Sequence, residues 1–187
     1  MSWKFCYWYR ENFFNLKERK KITSFFETNY QSIETKEETA KNKKGISKKQ
    51  TKTLKMSWEK IKPFVKNLED TIVHDNESNF GYNLFPVNNL NKVLLNIYSS
   101  QDKGNYDWHE DGAESDLIDC KLTALVNLSE SYEGGDLWIF QGGPQKVKAF
   151  KPGTLLLLKS SISHKVEPVT KGVRKTLTMF LQGPKFR

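Results

Sequence analysis

The sequence predicts an α+β fold, with helices first and an antiparallel β-sandwich or jelly roll behind them. Up to residue 82 the apolar residues follow helical spacing, whereas from residue 83 short apolar runs alternate with turn signals. No helical pattern separates these short runs, which disfavours a βαβ arrangement. We therefore expect a helical support region over 1–82 and a β-rich core over 83–187, integrated into a single domain.

Two helices are expected in the support region. The stretch 12–30 carries a partial apolar stripe without glycine or proline. A second helix is indicated from Ser57, a suitable N-cap, and Pro63 inside it predicts a kink or a later start. Its apolar face would comprise Trp58, Ile61, Val65, Leu68 and Ile72. Between the two helices, residues 35–55 are polar and lysine-rich, so we expect a mobile loop or a long hairpin there.

Short strands are expected throughout the β-rich core. They are predicted at 93–98, 122–128, 137–140, 146–150, 154–159 and 175–181. Turn signals stand between several of them, namely Gly134-Gly135, Gly142-Gly143-Pro144 and Pro152-Gly153. Many short strands joined by such turns are typical of an all-β sandwich or jelly roll.

The positive charge is confined to the first part of the chain. The formal net charge is +8, and residues 1–70 hold 17 Lys and Arg against 9 Asp and Glu, while residues 71–187 hold 13 of each. The stretch 36–66 has eleven lysines and no arginine, although arginine is the preferred residue for bidentate phosphate or base contacts. We interpret this stretch as a solvated surface and do not expect nucleic acid as a partner. Recruitment of an acidic partner or of nucleic acid is the alternative.

Nothing in the sequence indicates a membrane span or a disulfide framework. The longest aliphatic run covers residues 155–158, far short of the roughly 20 residues that a spanning helix needs. The first ten residues lack the apolar stretch of a signal peptide. The two cysteines, Cys6 and Cys120, are too few for a stapled scaffold or a four-cysteine zinc module. We therefore expect a soluble, cytoplasmic protein.

Three residues have the chemistry of a metal centre. His109 and Asp111 form a His-x-Asp motif, and His164 follows 53 residues later, after a predicted strand. In extended backbone, residues i and i+2 project to the same face, so one strand end can present an imidazole and a carboxylate together. Two histidines and one carboxylate form the triad of non-haem Fe(II) oxygenases, which leaves open positions for a chelating co-substrate and O₂. The sequence therefore predicts an Fe(II) site at these three residues.

An arginine at the start of the last predicted strand points to an anion. Arg174, Thr176 and Thr178 share one face by period-two alternation. An arginine inside a β-sandwich needs an anionic partner. A dicarboxylate such as 2-oxoglutarate supplies one carboxylate to the arginine, and its keto-acid end chelates the metal. We therefore expect 2-oxoglutarate as the co-substrate.

Residues 92–184 resemble the prolyl 4-hydroxylase-like Fe(II)/2-oxoglutarate dioxygenases, in particular the PKHD-type hydroxylases. The resemblance rests on Tyr98, Tyr106-Asp107-Trp108-His109-Glu110-Asp111, the Tyr132-Glu133-Gly134-Gly135-Asp136-Leu137 hairpin and the closing segment from His164 to Arg174. It implies a double-stranded β-helix (jelly roll) supported by the N-terminal helices. It also implies a hydroxylase acting on a prolyl residue of a peptide or protein, with ascorbate as a candidate reductant.

The resemblance also assigns roles to individual residues. It implies that His109, Asp111 and His164 hold Fe(II), and that Arg174 pairs with the distal carboxylate of 2-oxoglutarate. Tyr98 is expected to form a hydrogen bond with that co-substrate.

Further residues of the predicted pocket are expected from strand alternation. Thr176 is a candidate second contact for the carboxylate. Thr123, Leu125 and Asn127 alternate onto one face of the strand at 122–128, which we expect to line the pocket. Leu125 and Asn127 are candidates for the cofactor side. The candidates for substrate contact are Tyr106, Thr123 and Trp138, and core packing is the alternative for Trp138.

Two other functions use the same pattern. A nucleic-acid oxygenase or demethylase would have the same triad, and the lysine-rich stretch could follow a phosphate backbone. A non-catalytic, cupin-like binding module is the second alternative. The complete triad together with Arg174 argues against a module without catalysis, and the motifs above favour a peptide hydroxylase. The oligomeric state and the substrate are left open by the sequence.

Overall fold

The computed structural model describes residues 6–35, 49–88, 91–111 and 118–185. Its helices are α1 (Leu16–Asn29), α2 (Trp58–Ile61) and α3 (Leu68–Asn79). The strands of the first half are β1 (Tyr7–Arg10), β2 (Ser32–Thr35), β3 (Lys49–Gln50), β4 (Lys52–Ser57), β5 (Lys92–Ser99) and β6 (Asn105–His109). Those of the second half are β7 (Ile118–Asn127), β8 (Tyr132–Gly134), β9 (Leu137–Phe140), β10 (Pro144–Lys146), β11 (Leu155–Lys159), β12 (His164–Val166) and β13 (Val169–Pro184).

These strands form two antiparallel sheets. The larger sheet has the order β1-β11-β7-β13-β5-β4-β2, with β8 paired to β13, and the smaller has the order β10-β9-β12-β6-β3. Several neighbours in each sheet, such as β1 and β11 or β12 and β6, are distant in sequence, as expected when a chain winds between two sheets. The structure therefore confirms the α+β jelly roll with supporting helices.

The support region contributes strands as well as helices. Helix α1 lies within the predicted stretch 12–30 and begins at Leu16, where Asn15 and Glu18 form a reciprocal capping box. Strand β1 pairs with β11, and β2 pairs with β4, which in turn pairs with β5. A purely helical interpretation of 1–82 is therefore wrong, because the edge of the larger sheet is built from this region.

The hairpin alternative for residues 35–55 is confirmed at its two ends. Ser32 pairs with Lys55, and Thr35 pairs with Lys52. Residues 36–48, which hold much of the lysine-rich stretch, lie outside the described residues.

The second predicted helix is divided at Pro63. Helix α2 ends at Ile61, a 3₁₀ turn covers Lys62–Phe64, and α3 starts after Asn67, whose φ of 65° is left-handed. Proline removes one backbone donor and clashes with the preceding turn, so the helix cannot continue through it. The predicted apolar face is nevertheless buried across the break, at Trp58, Ile61, Val65, Leu68 and Ile72.

The strand predicted at 146–150 is wrong. Strand β10 ends at Lys146, and the chain then turns, with the Phe150 amide donating to the Val147 carbonyl. Val147 and Phe150 are both buried. Their spacing of three places them on one side of a turn, where a strand would have put them on opposite faces.

Alternation along the central strands divides the apolar residues between two cores. Leu155 and Leu157 of β11 join the core beneath the helices, whereas Leu156 and Leu158 join the core between the two sheets. Strands buried on both faces read as continuous apolar runs, which explains the sequence of β11. Among the described residues, no helix has the length and apolarity that crossing a membrane requires. The space that remains between the sheets holds the candidate site.

Candidate active site

The three predicted metal ligands meet at one end of the space between the sheets. His109 ends β6 and His164 begins β12, and the two residues are direct partners in that antiparallel pair. Asp111 follows β6 by two residues, and one potential ligand atom from each of the three lies within 4.8 Å of the others. The Nε2 atom of His109 is 3.9 Å from Asp111 Oδ1, and that of His164 is 3.6 Å from Asp111 Oδ2. The spacing in the sequence thus becomes a compact cluster.

Both imidazole rings are oriented by backbone carbonyls. The Nδ1 atom of His109 lies 2.8 Å from the Asp107 carbonyl, and that of His164 lies 2.9 Å from the Ile162 carbonyl. With Nδ1 as the donor in each ring, Nε2 carries the lone pair toward the cluster. Burial, followed by the neighbouring His164, lowers the pKa of His109 to about 3. His109 is therefore neutral at physiological pH, which is the form that binds a metal.

The Asp111 side chain is held by a hydroxyl that the sequence did not indicate for this purpose. Thr123, on β7, donates to Asp111 Oδ2 at 2.5 Å, and its own oxygen lies 3.0 Å from Ser160 Oγ. Thr123 was expected to contact substrate. In the structure it borders the cavity and bonds to a metal-ligand candidate.

Arg174 lies along the same cavity on β13 and is 1% exposed. It is the register partner of Tyr98 on β5, and its guanidinium carbon lies 5.1 Å from the Tyr98 ring centroid and 5.4 Å from that of Phe150. Among the described residues, no carboxylate forms an ion pair with Arg174, and its Nε has no hydrogen-bond partner. A buried, unneutralised guanidinium is costly, so this end of the cavity is built for an anion.

Two neighbours of Arg174 define the same polar end. The Thr176 hydroxyl is buried and has no hydrogen-bond partner in the residues that the structure describes. Burial raises the pKa of Tyr98 to about 12, against the opposing effect of the Arg174 charge, so the phenol stays protonated. Thr176 and Tyr98, the predicted co-substrate contacts, both border the cavity.

A glycine makes room for the arginine stem. Gly135 has a φ of +60°, and a Cβ atom there would lie 3.0 Å from Arg174 Cδ and 2.9 Å from Val169 Cγ2. The predicted Gly134-Gly135 turn is present, since both glycines have positive φ. Its second glycine also brings the backbone close to the anion site.

Of the other predicted site residues, Leu125 and Tyr106 border the cavity, and Tyr106 stacks on His109 with ring centroids 3.4 Å apart. Asn127 is fully buried, but its amide donates to the Tyr132 hydroxyl and the Phe150 carbonyl. Trp138 lies beside Lys165, away from the cavity, because its strand neighbours Leu137 and Ile139 take the inward positions. The structure thus does not bring Asn127 or Trp138 to the site.

Several cavity residues were missed by sequence reasoning. Asn96 on β5 donates to Thr178 and accepts from Thr53, which makes a polar strip along the cavity wall. Lys49 on β3 borders the opening and lies 4.9 Å above the Tyr106 ring. Inward alternation with Tyr98 could have indicated Asn96, whereas Lys49 is placed by a strand that the sequence did not predict.

Known proteins share both the motif and the fold. Residues 93–182 match the family model of the 2OG-Fe(II) oxygenase superfamily. A 97-residue stretch, 47% of this chain, is 38% identical to a PKHD-type hydroxylase of Alteromonas mediterranea. That stretch covers 42% of the relative, so the similarity reaches less than half of its length.

Solved structures show the same fold over nearly the whole chain. A prolyl-4-hydroxylase of Pseudomonas putida superposes with a TM-score of 0.70 at 16% identity, covering 97% of this chain and 95% of that one. A prolyl hydroxylase of Trichoplax adhaerens, in complex with a hypoxia inducible factor peptide, gives 0.68 at 16% identity, covering 94% and 83%.

The jelly roll and the His-Asp-His cluster define the class of the 2OG-Fe(II) oxygenases. Residues 93–182 match the model of that superfamily, and the resemblance to PKHD-type hydroxylases is confirmed. The residues fit the two groups that this class uses. Two imidazoles and a carboxylate suit Fe(II), while Arg174 Nε and Thr176 Oγ1, which have no hydrogen-bond partner among the described residues, suit a carboxylate of 2-oxoglutarate.

Proposed function

We propose that this protein is an Fe(II)- and 2-oxoglutarate-dependent dioxygenase that hydroxylates a prolyl residue in a peptide or protein. The observation that carries the proposal is one cavity with a metal-binding cluster at one end and, at the other, the buried Arg174, which has no ion-pair partner among the described residues. A ligand that bridges these ends needs a chelating group and a distal anion, and 2-oxoglutarate has both.

Each side chain of the cavity has a definite task in this reaction. His109, Asp111 and His164 hold the metal, and Asn96 with its polar strip lines the wall between the two ends. Arg174 fixes the distal carboxylate through charge-assisted hydrogen bonds, so that the co-substrate enters in one orientation. When bound, Fe(II) and 2-oxoglutarate supply the activation of O₂, with succinate and CO₂ released as a hydroxyl group is added to substrate.

The walls of the cavity protect this chemistry from water. Leu125, Leu137 and Val166 contribute apolar surface around the polar groups, and each is buried. Exclusion of water strengthens the electrostatic contacts inside and limits side reactions. Tyr106 and Lys49 border the same cavity and are half-buried, so a peptide could approach there.

A peptide or protein substrate is supported by the prolyl hydroxylase folds and by the PKHD-type relative. The mouth of the cavity is partly exposed and is bordered by Lys49 and Tyr106, which could contact a peptide chain. We place the reaction in the cytoplasm, a reducing compartment, in keeping with Cys6 and Cys120, which form no disulfide.

The test is hydroxylation by purified protein. Anaerobically purified protein is mixed with Fe(II), 2-oxoglutarate and a panel of proline-containing peptides, and O₂ is then admitted. We expect the mass of at least one peptide to increase by one oxygen atom, together with succinate formation. The matched control is Asp111→Ala, which should give neither product.

Two outcomes would change the proposal. Succinate without peptide modification, but with modification of single-stranded DNA or RNA, would favour the nucleic-acid oxygenase. Binding of 2-oxoglutarate with no succinate under any condition would favour the cupin-like binding module.

A further inference from the structure

A chain of buried hydroxyl groups leads away from the metal-ligand carboxylate. Asp111 Oδ2 accepts from Thr123 Oγ1, and that oxygen lies 3.0 Å from Ser160 Oγ. The Cys120 sulfur lies 3.1 Å from the same Ser160 oxygen. Asp111 follows β6, Thr123 and Cys120 belong to β7, and Ser160 follows β11, so the chain connects three separate segments. We call Thr123 and Ser160 the hydroxyl pair.

Both members of the hydroxyl pair are out of reach of solvent. Thr123 is 1% exposed and Ser160 is 0% exposed. Water is therefore a poor substitute for either hydroxyl, and each must be satisfied within the protein. The bond from Thr123 to the carboxylate is charge-assisted, which makes it the strong member of the chain.

The direction of the bonds follows from the carboxylate. A metal-binding carboxylate has no proton to donate, so Thr123 must be the donor to Asp111. Its single hydrogen is then committed, and the Thr123 oxygen accepts from Ser160. Each hydroxyl in the pair therefore has one allowed orientation.

Ser160 also fixes the backbone of the same ligand. The Asp111 amide donates to the Ser160 carbonyl at 3.0 Å, and the Ser160 amide donates to the Lys121 carbonyl at 3.1 Å. Ser160 thus acts on Asp111 twice, once through the main chain and once through Thr123. A side chain restrained in both ways has little freedom to rotate away from the two histidines.

We infer that Thr123, oriented by Ser160, is a positioning residue that holds Asp111 Oδ2 and so presents Asp111 Oδ1 to the metal. The inference rests on the proposed function, because it assigns the hydroxyl pair to the metal site of that reaction. Thr123 orders the carboxylate before any metal arrives. The Asp111 carboxylate then loses little conformational freedom when the metal binds, so the affinity for the metal rises.

The test is a metal titration that does not depend on turnover. Wild type and Thr123→Val are titrated anaerobically with Fe(II) by calorimetry, and with Co(II) by visible absorption, which reports ligand geometry. We expect Thr123→Val to bind Fe(II) about ten- to a hundredfold more weakly, with an altered Co(II) spectrum. Thr123→Ser keeps the hydroxyl and should restore both properties. Ser160→Ala should give a smaller loss in the same direction.

A matched control separates positioning from general stability. Thr154 is also 1% exposed, and its hydroxyl donates to the Ala149 carbonyl, away from the triad. Thr154→Val therefore removes one buried hydroxyl without touching Asp111, and its Fe(II) affinity and Co(II) spectrum should match wild type. Wild-type affinity and spectrum in Thr123→Val, or equal losses in both valine variants, would overturn the inference.

Failure of the proposed function would look different. In that case wild type itself would bind Fe(II) no better than His164→Ala does. If wild type binds the metal through the triad and Thr123→Val binds it equally well, the function stands and the positioning role is wrong. If Thr123→Val does not fold, Thr123→Ser and Ser160→Ala still decide the question through the Co(II) spectrum.

Discussion

The two ends of the central cavity are built in opposite ways. At the metal end, the protein supplies partners for the side chains, since His109 and His164 lie against carbonyls and Asp111 accepts from Thr123. At the anion end, Arg174 Nε and Thr176 Oγ1 are buried and have no hydrogen-bond partner within the described part of the chain. The metal end is thus organised before its ligand binds, whereas the anion end is completed by its ligand.

Binding of the metal and binding of the co-substrate should therefore differ in their sensitivity to mutation. Removal of a ligand at the metal end takes away a donor that nothing else replaces. Removal of a donor at the anion end weakens binding by an amount that depends on how many donors remain.

Loss of a metal ligand should have the largest effect. Asp111→Ala, His109→Ala and His164→Ala should each abolish succinate formation, because the metal site needs all three groups. The fold should persist, since the apolar core beneath the helices contains none of the three residues. Succinate assays and circular dichroism measure the two properties. Glu110→Ala removes the exposed neighbouring carboxylate and should behave as wild type. Turnover at the wild-type rate in Asp111→Ala would contradict the site.

Loss of the Arg174 guanidinium should weaken 2-oxoglutarate binding without abolishing the reaction. Truncating one partner of a buried charge pair costs about 2–5 kcal/mol, so Arg174→Ala should lower 2-oxoglutarate affinity about thirtyfold or more. The concentration dependence of succinate formation measures it. Lys175→Ala is the control, because Lys175 pairs with Glu27 and lies outside the cavity lining. A change below about threefold would mean that another group anchors the anion.

The hydroxyl beside Arg174 should contribute less. One net hydrogen bond is worth about 0.5–1.5 kcal/mol, so Thr176→Val should lower 2-oxoglutarate affinity about two- to tenfold. Thr154→Val, which removes a buried hydroxyl elsewhere, should leave that affinity unchanged. Identical affinities in wild type and Thr176→Val would show that the hydroxyl does not reach the co-substrate.

The effect that is smallest at neutral pH concerns the free energy of unfolding and arises from ionisation of the Tyr98 phenol. Its pKa is raised from 10.0 to about 12 in the folded state. Between these values the folded protein keeps a proton that the unfolded chain releases, so stability falls as the pH rises above 10. Tyr98→Phe has no such proton to release. Its free energy of unfolding should therefore fall by about 1 kcal/mol less than that of wild type between pH 9 and 11. Urea unfolding at both pH values measures it, and parallel losses would contradict the assignment.

The sequence predicts the site better than it predicts the wall around it. His109 and Asp111 are close in sequence, and Arg174 and Tyr98 each lie on a strongly apolar strand, so alternation alone sets their direction. The bond between Thr123 and Asp111 depends on how β7 lies against the end of β6. That placement requires the register of a whole sheet, which no local pattern contains.

The two residues that do not reach the site have separate physical reasons. Asn127 is on the expected strand, but Tyr132 and Phe150 lie close enough to take its amide hydrogens. Trp138 is one residue out of phase with Leu137, and a shift of one residue reverses the face of a strand. Alternation could have excluded Trp138, whereas the loop that brings Phe150 to Asn127 could not be read from the sequence.

Gly135 contributes no charge, hydroxyl or metal ligand, yet the anion end depends on its lack of a side chain. Its backbone lies where a Cβ atom would come within 3.0 Å of the Arg174 stem. Even alanine, the smallest replacement, would displace the guanidinium or the strand that carries it. Glycine is therefore the one residue that position 135 accommodates without such a displacement. A mutational scan limited to charged, polar and metal-binding side chains would omit Gly135. A substitution of Gly135 that weakened 2-oxoglutarate binding would then be mistaken for a long-range effect.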